Sequence, residues 1–206
     1  FSVIADSEQS IRALAAAAHS SGKGIGVLLD LDCGMHRTGV RPGPDALHLY
    51  RLITQLPGLS AGGLHAYDGH IRDIDFNLRK QRCDEAFARI VAVQHEIQSS
   101  DNKKLKIIAG GSPTFSIHSR RKGIECSPGT FVYWDKGYEQ ILPEQHYLPA
   151  AIIVTRVISK PAANVICIDL GHKAIASENP LPQRISFLNA ANLLPIGHSE
   201  EHMVLS

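Results

Sequence analysis

"LDLDCGMHRTGV", residues 29–40, joins the end of an apolar run to a cluster of charge, and its reading decides the fold. The run before it, Ile25 to Leu31, is apolar and β-branched like a buried strand. Asp30, Asp32, His36 and Arg37 arrive where such a strand stops, and charge crowded at a strand end marks a ligand site.

Working outward, strand-like runs alternate with helix-like stretches. "FSVIADS" reads as a strand, and Ser7 then caps an alanine-rich helix ended by Gly22. "GIGVLLDLD" is the next strand, followed by a helix opened by Pro44 and closed at Pro57. "LSAGGLHAYDGH" is a third strand with a polar end. A long helix, Asn77 to Ser100, carries Ala86, Ile90, Val93 and Ile97 on one face. "LKIIAGGSPTF", "SIHSRRKG" and "IECSPGTFVYWD" complete roughly five strand-then-crossover units without tight hairpin turns, the pattern of parallel strands.

Each of these strands ends in polar or glycine-rich chemistry: Asp6, Asp32–Arg37, His65–His70, Gly110–Thr114 and Ser127–Thr130. A closed barrel gathers all such ends at one mouth, whereas an open sheet uses only those beside its switch point, so part of a (β/α)8 TIM-type barrel is expected. "GKGIGV" is no dinucleotide loop, because its glycines precede the strand and miss the required spacing. "GGSPT" and "SPGT" offer small residues, backbone N–H groups and hydroxyls on consecutive strand ends, which suits a phosphate group. Turn formation alone is the competing explanation for each.

The 206 residues are 44% hydrophobic and 20% charged, enough for one large domain or two small ones. A formal net charge of +1 gives no field to hold nucleic acid or an anionic membrane. Four dispersed cysteines without a C-x-x-C pair fit a reducing, cytoplasmic setting, and no apolar stretch is long enough to span a bilayer. From about Pro149, "AAIIVTRVISKPAANVICIDLGHKAI" has strand-like runs separated by short turns, so domains are expected at 1–147 and 148–206, the second β-rich.

"DLDCGMHRTGV", "GLHAYDGH", "GGSPTF", "ECSPGTFVYWDKGY", "AIIVTRVISKP", "IDLGHKAIASENP" and "HSEEH", in this order, resemble the D-threonine aldolase and D-serine dehydratase family, whose barrel is alanine-racemase-like. "WDKGY", "TRVIS" and "LGHKA" are closer to the aldolase branch. The resemblance implies pyridoxal 5'-phosphate, a divalent metal (manganese, magnesium or zinc), a D-amino acid substrate and a homodimer. It implies cleavage of a D-3-hydroxy amino acid to glycine and an aldehyde, with the cofactor accepting electrons and the metal acidifying the 3-hydroxyl.

Carried onto this sequence, Arg37 meets the cofactor's phenolic oxygen, with Asp30 and Asp32 orienting that region, Gly34 turning the loop and His36 facing outward. His65 and Tyr67 sit against the pyridine ring, with a weaker part for His70, and Gly111, Ser112, Thr114, Gly129 and Thr130 form the phosphate cup. Arg37 as a structural salt bridge and His65 as a core histidine are the alternatives. The resemblance implies a cofactor lysine near the family's first strand, expected upstream of Phe1; Lys23, Lys80, Lys103, Lys104 and Lys106 do not match it and read as solvated turn or helix-surface residues. Metal ligands are expected beyond Ser206 rather than at His198 and His202, which flank Glu200 and Glu201. Asp169, His172 and Lys173 are polar strand ends. D-serine dehydratase, a non-catalytic cofactor-binding barrel and a sugar-phosphate barrel enzyme are the rival readings; for the last, "GLHAYDGH" supplies only Asp68 where a carboxylate pair is needed.

Overall fold

Ser7 and Gly22 bracket the first helix as their chemistry dictates. After strand β1 (Ser2–Ala5), the Ser7 hydroxyl accepts the Ser10 N–H at 3.3 Å and opens helix α1 (Glu8–Ser21), which Gly22 closes at φ +65°. Strand β2 (Ile25–Leu31) follows, then helix α2 (Pro44–Gln55), whose proline stands where no N–H is needed. Helix α2 buries Leu47, Tyr50 and Ile53 among others, and strand β3 (Leu59–Ala66) comes next. The computed structural model describes residues 1–101 and 105–206, with backbone alone at 100 and 101. Lys103 and Lys104, read from the sequence as solvated lysines, lie outside the described residues.

Helix α3 (Phe76–Asp101) buries Ile90, Val93 and Ile97, with Ala86 partly covered, which is the face that its spacing defines. Strand β4 (Ile107–Ala109), the short helix α4 (Phe115–His118), strand β5 (Ile124–Cys126) and helix α5 (Lys136–Ile141) complete this part. The five strands pair in the order β1-β2-β3-β4-β5, all parallel. Sequential order without reversal is the order of a barrel wall, whereas a doubly wound sheet reverses at its centre. The fold is mixed α/β, five parallel strands in the order of a barrel wall and, beyond them, an antiparallel sheet.

Val27, Leu29, Leu31, Leu64, Ala66, Ile107 and Ala109 point to one side and pack with α2 and α3 residues in the main core. Strand alternation therefore sends Asp30 and His65 to the opposite face, the barrel interior. A bulge between β2 and β3 sets this phase: Val27 pairs with Ala61 and Leu28 with Gly63, leaving Gly62 extra. Gly63 has φ +130°, and a Cβ there would stand 2.4 Å from the Lys106 carbonyl oxygen.

The chain divides into two compact units, one of residues 1–132 and 137–147, the other of residues 133–136 and 148–206. The second unit holds an antiparallel sheet of β6 (Val157–Ala162), β7 (Val165–Ile168), β8 (Pro195–His198) and β9 (Met203–Leu205), ordered β6-β7-β9-β8. Ile168, Leu170, Met203 and Leu205 form its core. The strand-like reading of residues 151–156 does not hold: β6 starts only at Val157, and Ile152, Ile153 and Val154 lie exposed rather than on a covered face. "HSEEH" is the turn between β8 and β9, strapped to Gly171–Lys173 by His172 N–H to Ser199 O and Lys173 N–H to Glu200 O. Lys173 takes up Glu200 at 3.2 Å and Glu201 at 2.8 Å, and His198 Nδ1 accepts from Arg184, so these groups are engaged with one another.

Candidate cofactor site

The loop after β2 is built by one carboxylate. Asp32 Oδ1 accepts the N–H groups of Gly34 at 2.9 Å and His36 at 3.0 Å, and Oδ2 lies 2.7 Å from His36 Nδ1. Gly39 N–H donates to Asp6 Oδ2 at 2.9 Å, and Val40 folds back on β2 through bonds with Asp30 and Asp32. This closure presents the exposed Arg37 above the strand ends, its guanidinium carbon 4.6 Å from the centre of the Tyr67 ring. Asp30, Leu31, Met35, Arg37, Thr38 and Tyr67 line a small opening there.

Burial pushes the Asp32 carboxyl up, but the bonds from His36 and Gly34 outweigh it and hold it at about 2. A carboxylate held below its ordinary value of 3.8 adds stability that is complete above that value and disappears as pH falls toward 2. Asp32→Ala is therefore expected to be destabilised most at neutral pH, its deficit shrinking below about pH 4 and vanishing near pH 2. Urea midpoints of both proteins across that range measure it; a deficit independent of pH would remove the charge from the explanation.

Asp30 and His65 face each other across the β2–β3 pairing, Oδ1 to Nδ1 at 2.6 Å. Burial raises the Asp30 carboxyl, yet bonds from His65 and Thr38 and the charges of His65 and Arg37 keep it below the usual carboxylate range. An ionised Asp30 can only accept, so His65 Nδ1 is the donor of this bond and the ring is held in one orientation.

The "GGSPT" turn also approaches Tyr67. A Cβ at Gly111 would lie 3.0 Å from Tyr67 Cε2, so the backbone rests on the ring that Arg37 covers. Ser112 is 3% exposed, and its hydroxyl has no hydrogen-bond partner among the described residues. Gly129 and Thr130 are exposed, with Thr130 Oγ1 3.5 Å from the Tyr138 hydroxyl, and Ser127 ties their loop to the turn by its hydroxyl, which donates to Gly110 O at 3.4 Å. Thr114 is fully buried, and its hydroxyl donates to Asp68 at 2.6 Å. His70 is exposed beside Gly34.

Sequence reasoning missed His118, Cys83 and Arg121, which surround Asp68. His118 Nε2 lies 2.8 Å from Asp68 Oδ2, Cys83 Sγ 3.7 Å from the same oxygen, and Arg121 donates to His118 Nδ1 at 2.5 Å. No local pattern marks them, because "SIHSRR" reads as a polar helix surface.

The residues fit pyridoxal phosphate on one observation: a buried hydroxyl without a partner, at Ser112, is the donor that a phosphate oxygen satisfies. A metal is another matter. Asp68, Cys83 and His118 are the donor group with metal-like spacing among the described residues, yet Arg121 occupies Nδ1 of the histidine, so Nε2 holds the proton and offers no lone pair. Burial and the charge of Asp68 push the Cys83 thiol up to about 12, away from the thiolate that a metal needs. This donor set does not fit a metal.

Parallel strands in barrel order bring a guanidinium, an oriented histidine and a hydroxyl-bearing turn to the strand ends of one barrel domain. The chain belongs to the alanine racemase N-terminal domain family, whose model matches residues 1–136, and residues 150–206 match a putative serine dehydratase domain. The family is one of pyridoxal-phosphate enzymes. A 3-hydroxy-D-aspartate aldolase of Paracoccus denitrificans (strain Pd 1222) is 26% identical over 190 residues, 87% of this chain and 49% of that protein. A D-threonine aldolase of an Arthrobacter species is 26% identical over 184 residues, 86% and 48% of the two chains. The crystal structure of D-threonine aldolase from Filomicrobium marinum superposes with a TM-score of 0.90 at 25% identity, covering 99% of this chain and 55% of that one. The chain thus spans about half the length of the curated relatives it matches.

Proposed function

We propose that this chain supplies the ring- and phosphate-binding rim of a pyridoxal-phosphate lyase that cleaves D-3-hydroxy amino acids to glycine and an aldehyde. The observation that carries the reading is the Tyr67 ring, covered by Arg37 at 4.6 Å and touched by the Gly111 backbone beside the partnerless Ser112 hydroxyl. The bound cofactor supplies an electron sink for the pair released at the substrate's α-carbon. Arg37 donates to the phenolic oxygen and holds it ionised. Ser112, with Thr130 and the backbone around Gly129, holds the phosphate. Asp30 holds the His65 ring in one orientation through Nδ1, which leaves Nε2 turned away from the carboxylate. The divalent ion implied by the resemblance, manganese, magnesium or zinc, belongs to the proposal without a step derived through it. A homodimer and a cytoplasmic setting belong to it also, the second supported by four free cysteines.

The aldolase names of the two curated relatives favour aldol cleavage, and the match of residues 150–206 to a putative serine dehydratase domain favours a second reading, elimination from D-serine. Assays of the whole protein separate them. Glycine and aldehyde from D-threonine or 3-hydroxy-D-aspartate, lost on chelation and restored by manganese, support the first; pyruvate from D-serine alone supports the second. Bound cofactor with neither product would leave a cofactor carrier and overturn both.

A further inference from the structure

We propose that Asp68 is a positioning residue that sets the conformation of the phosphate-binding turn. The proposal rests on the cofactor reading above and extends it to a group that touches no cofactor atom. Asp68 is 4% exposed, and a carboxylate so deeply buried persists only if its oxygens are satisfied. Oδ1 accepts the Gly111 N–H at 3.0 Å and the Thr114 hydroxyl at 2.6 Å; Oδ2 accepts from His118 Nε2 at 2.8 Å. Both Oδ1 bonds go to the "GGSPT" turn and bracket Ser112, whose hydroxyl is the unsatisfied one.

The rest of the turn is clamped by the same group. Gly110 adopts φ +89°, and a Cβ there would strike His118 Cδ2 at 2.7 Å, so the backbone lies directly on the imidazole that Asp68 holds. Arg121 fixes the far side of that imidazole and is itself fixed by Asp84 at 2.5 Å and by the Phe87 ring at 4.1 Å. Burial raises the Asp68 carboxyl, and the bonds from His118, Thr114 and Gly111 more than offset it, so the carboxyl lies below the usual carboxylate range. Asp68 follows Tyr67 in sequence, so one strand end carries both the ring that meets Arg37 and the carboxylate that shapes the phosphate turn.

The test compares two ligands in the whole protein, pyridoxal phosphate and unphosphorylated pyridoxal, titrated by absorbance. Asp68→Asn is isosteric but replaces one accepting oxygen with a donor. It is expected to weaken pyridoxal phosphate about tenfold while changing pyridoxal less than about twofold, so that the preference for the phosphorylated ligand falls. Thr114→Val removes only the hydroxyl arm and serves if Asp68→Asn does not fold; the same ratio is expected to fall about threefold. Equal losses for both ligands, or no loss, would show a structural role and overturn the proposal. Wild-type protein that binds pyridoxal phosphate no better than pyridoxal would overturn the cofactor reading and this proposal together.

Discussion

On the lyase reading proposed above, Arg37→Met in the whole protein is expected to lower kcat/KM for cleavage of D-threonine by roughly 10- to 150-fold, the equivalent of a charge-assisted hydrogen bond of about 1.5–3 kcal/mol. The loss concentrates in cofactor chemistry because Arg37 is exposed, and no buried partner is left unsatisfied when it goes. Its contact with the Tyr67 ring at 4.6 Å contributes about 0.5–1 kcal/mol at an exposed site, so the thermal midpoint moves little. The phenolic oxygen of bound cofactor, deprived of its donor, titrates at higher pH, visible in the absorbance of the holoenzyme. Arg37→Lys keeps the charge without the planar fork and recovers only part of the rate. Full activity and an unchanged cofactor titration in Arg37→Met would remove Arg37 from the site and leave it as a loop cation stacked on tyrosine.

What the sequence made legible was local. Ser7 and Gly22 bound α1, Pro44 opens α2, and the face of α3 follows its spacing, because caps and helical periodicity act over a few residues. The barrel order was legible because every crossover is long and every strand end polar. The meeting of Arg37 and the Gly111 turn at Tyr67 agrees with their shared rim, although nothing in either segment names the tyrosine as the link.

The network around Asp68 was not legible, since its bonds reach 15, 46 and 50 residues along the chain, and no spacing rule connects such positions. Thr114 belongs to that network: two residues from Ser112, its hydroxyl donates to a buried carboxylate that needs a donor. Residues 151–156 show an error of another kind, in which β-branched composition suggested a strand that finds no place in the sheet.

Gly39→Val is expected to cost roughly 2–6 kcal/mol, the sum of about 1–3 for a β-branched residue in left-handed backbone and about 1–3 for overpacking. Gly39 has φ +97°, and a Cβ there would lie 2.5 Å from Asp32 N and 2.6 Å from Leu31 C. Both obstacles are backbone of the strand end, so neither can rotate away. Moving Gly39 instead breaks its bond to Asp6 and loosens Val40 from Asp30 and Asp32, the closure that presents Arg37. Gly43→Val separates the two contributions: at φ +146° it is strained, but a Cβ there meets nothing within 4 Å, so about 1–3 kcal/mol is expected. Set against a typical total of about 5–15 kcal/mol, the loss at Gly39 takes a large share of the stability of a domain. Urea unfolding of the two variants beside wild type measures the difference, and a Gly39→Val protein as stable as Gly43→Val would mean that the loop relaxes and the close approach of Gly39 to β2 is dispensable.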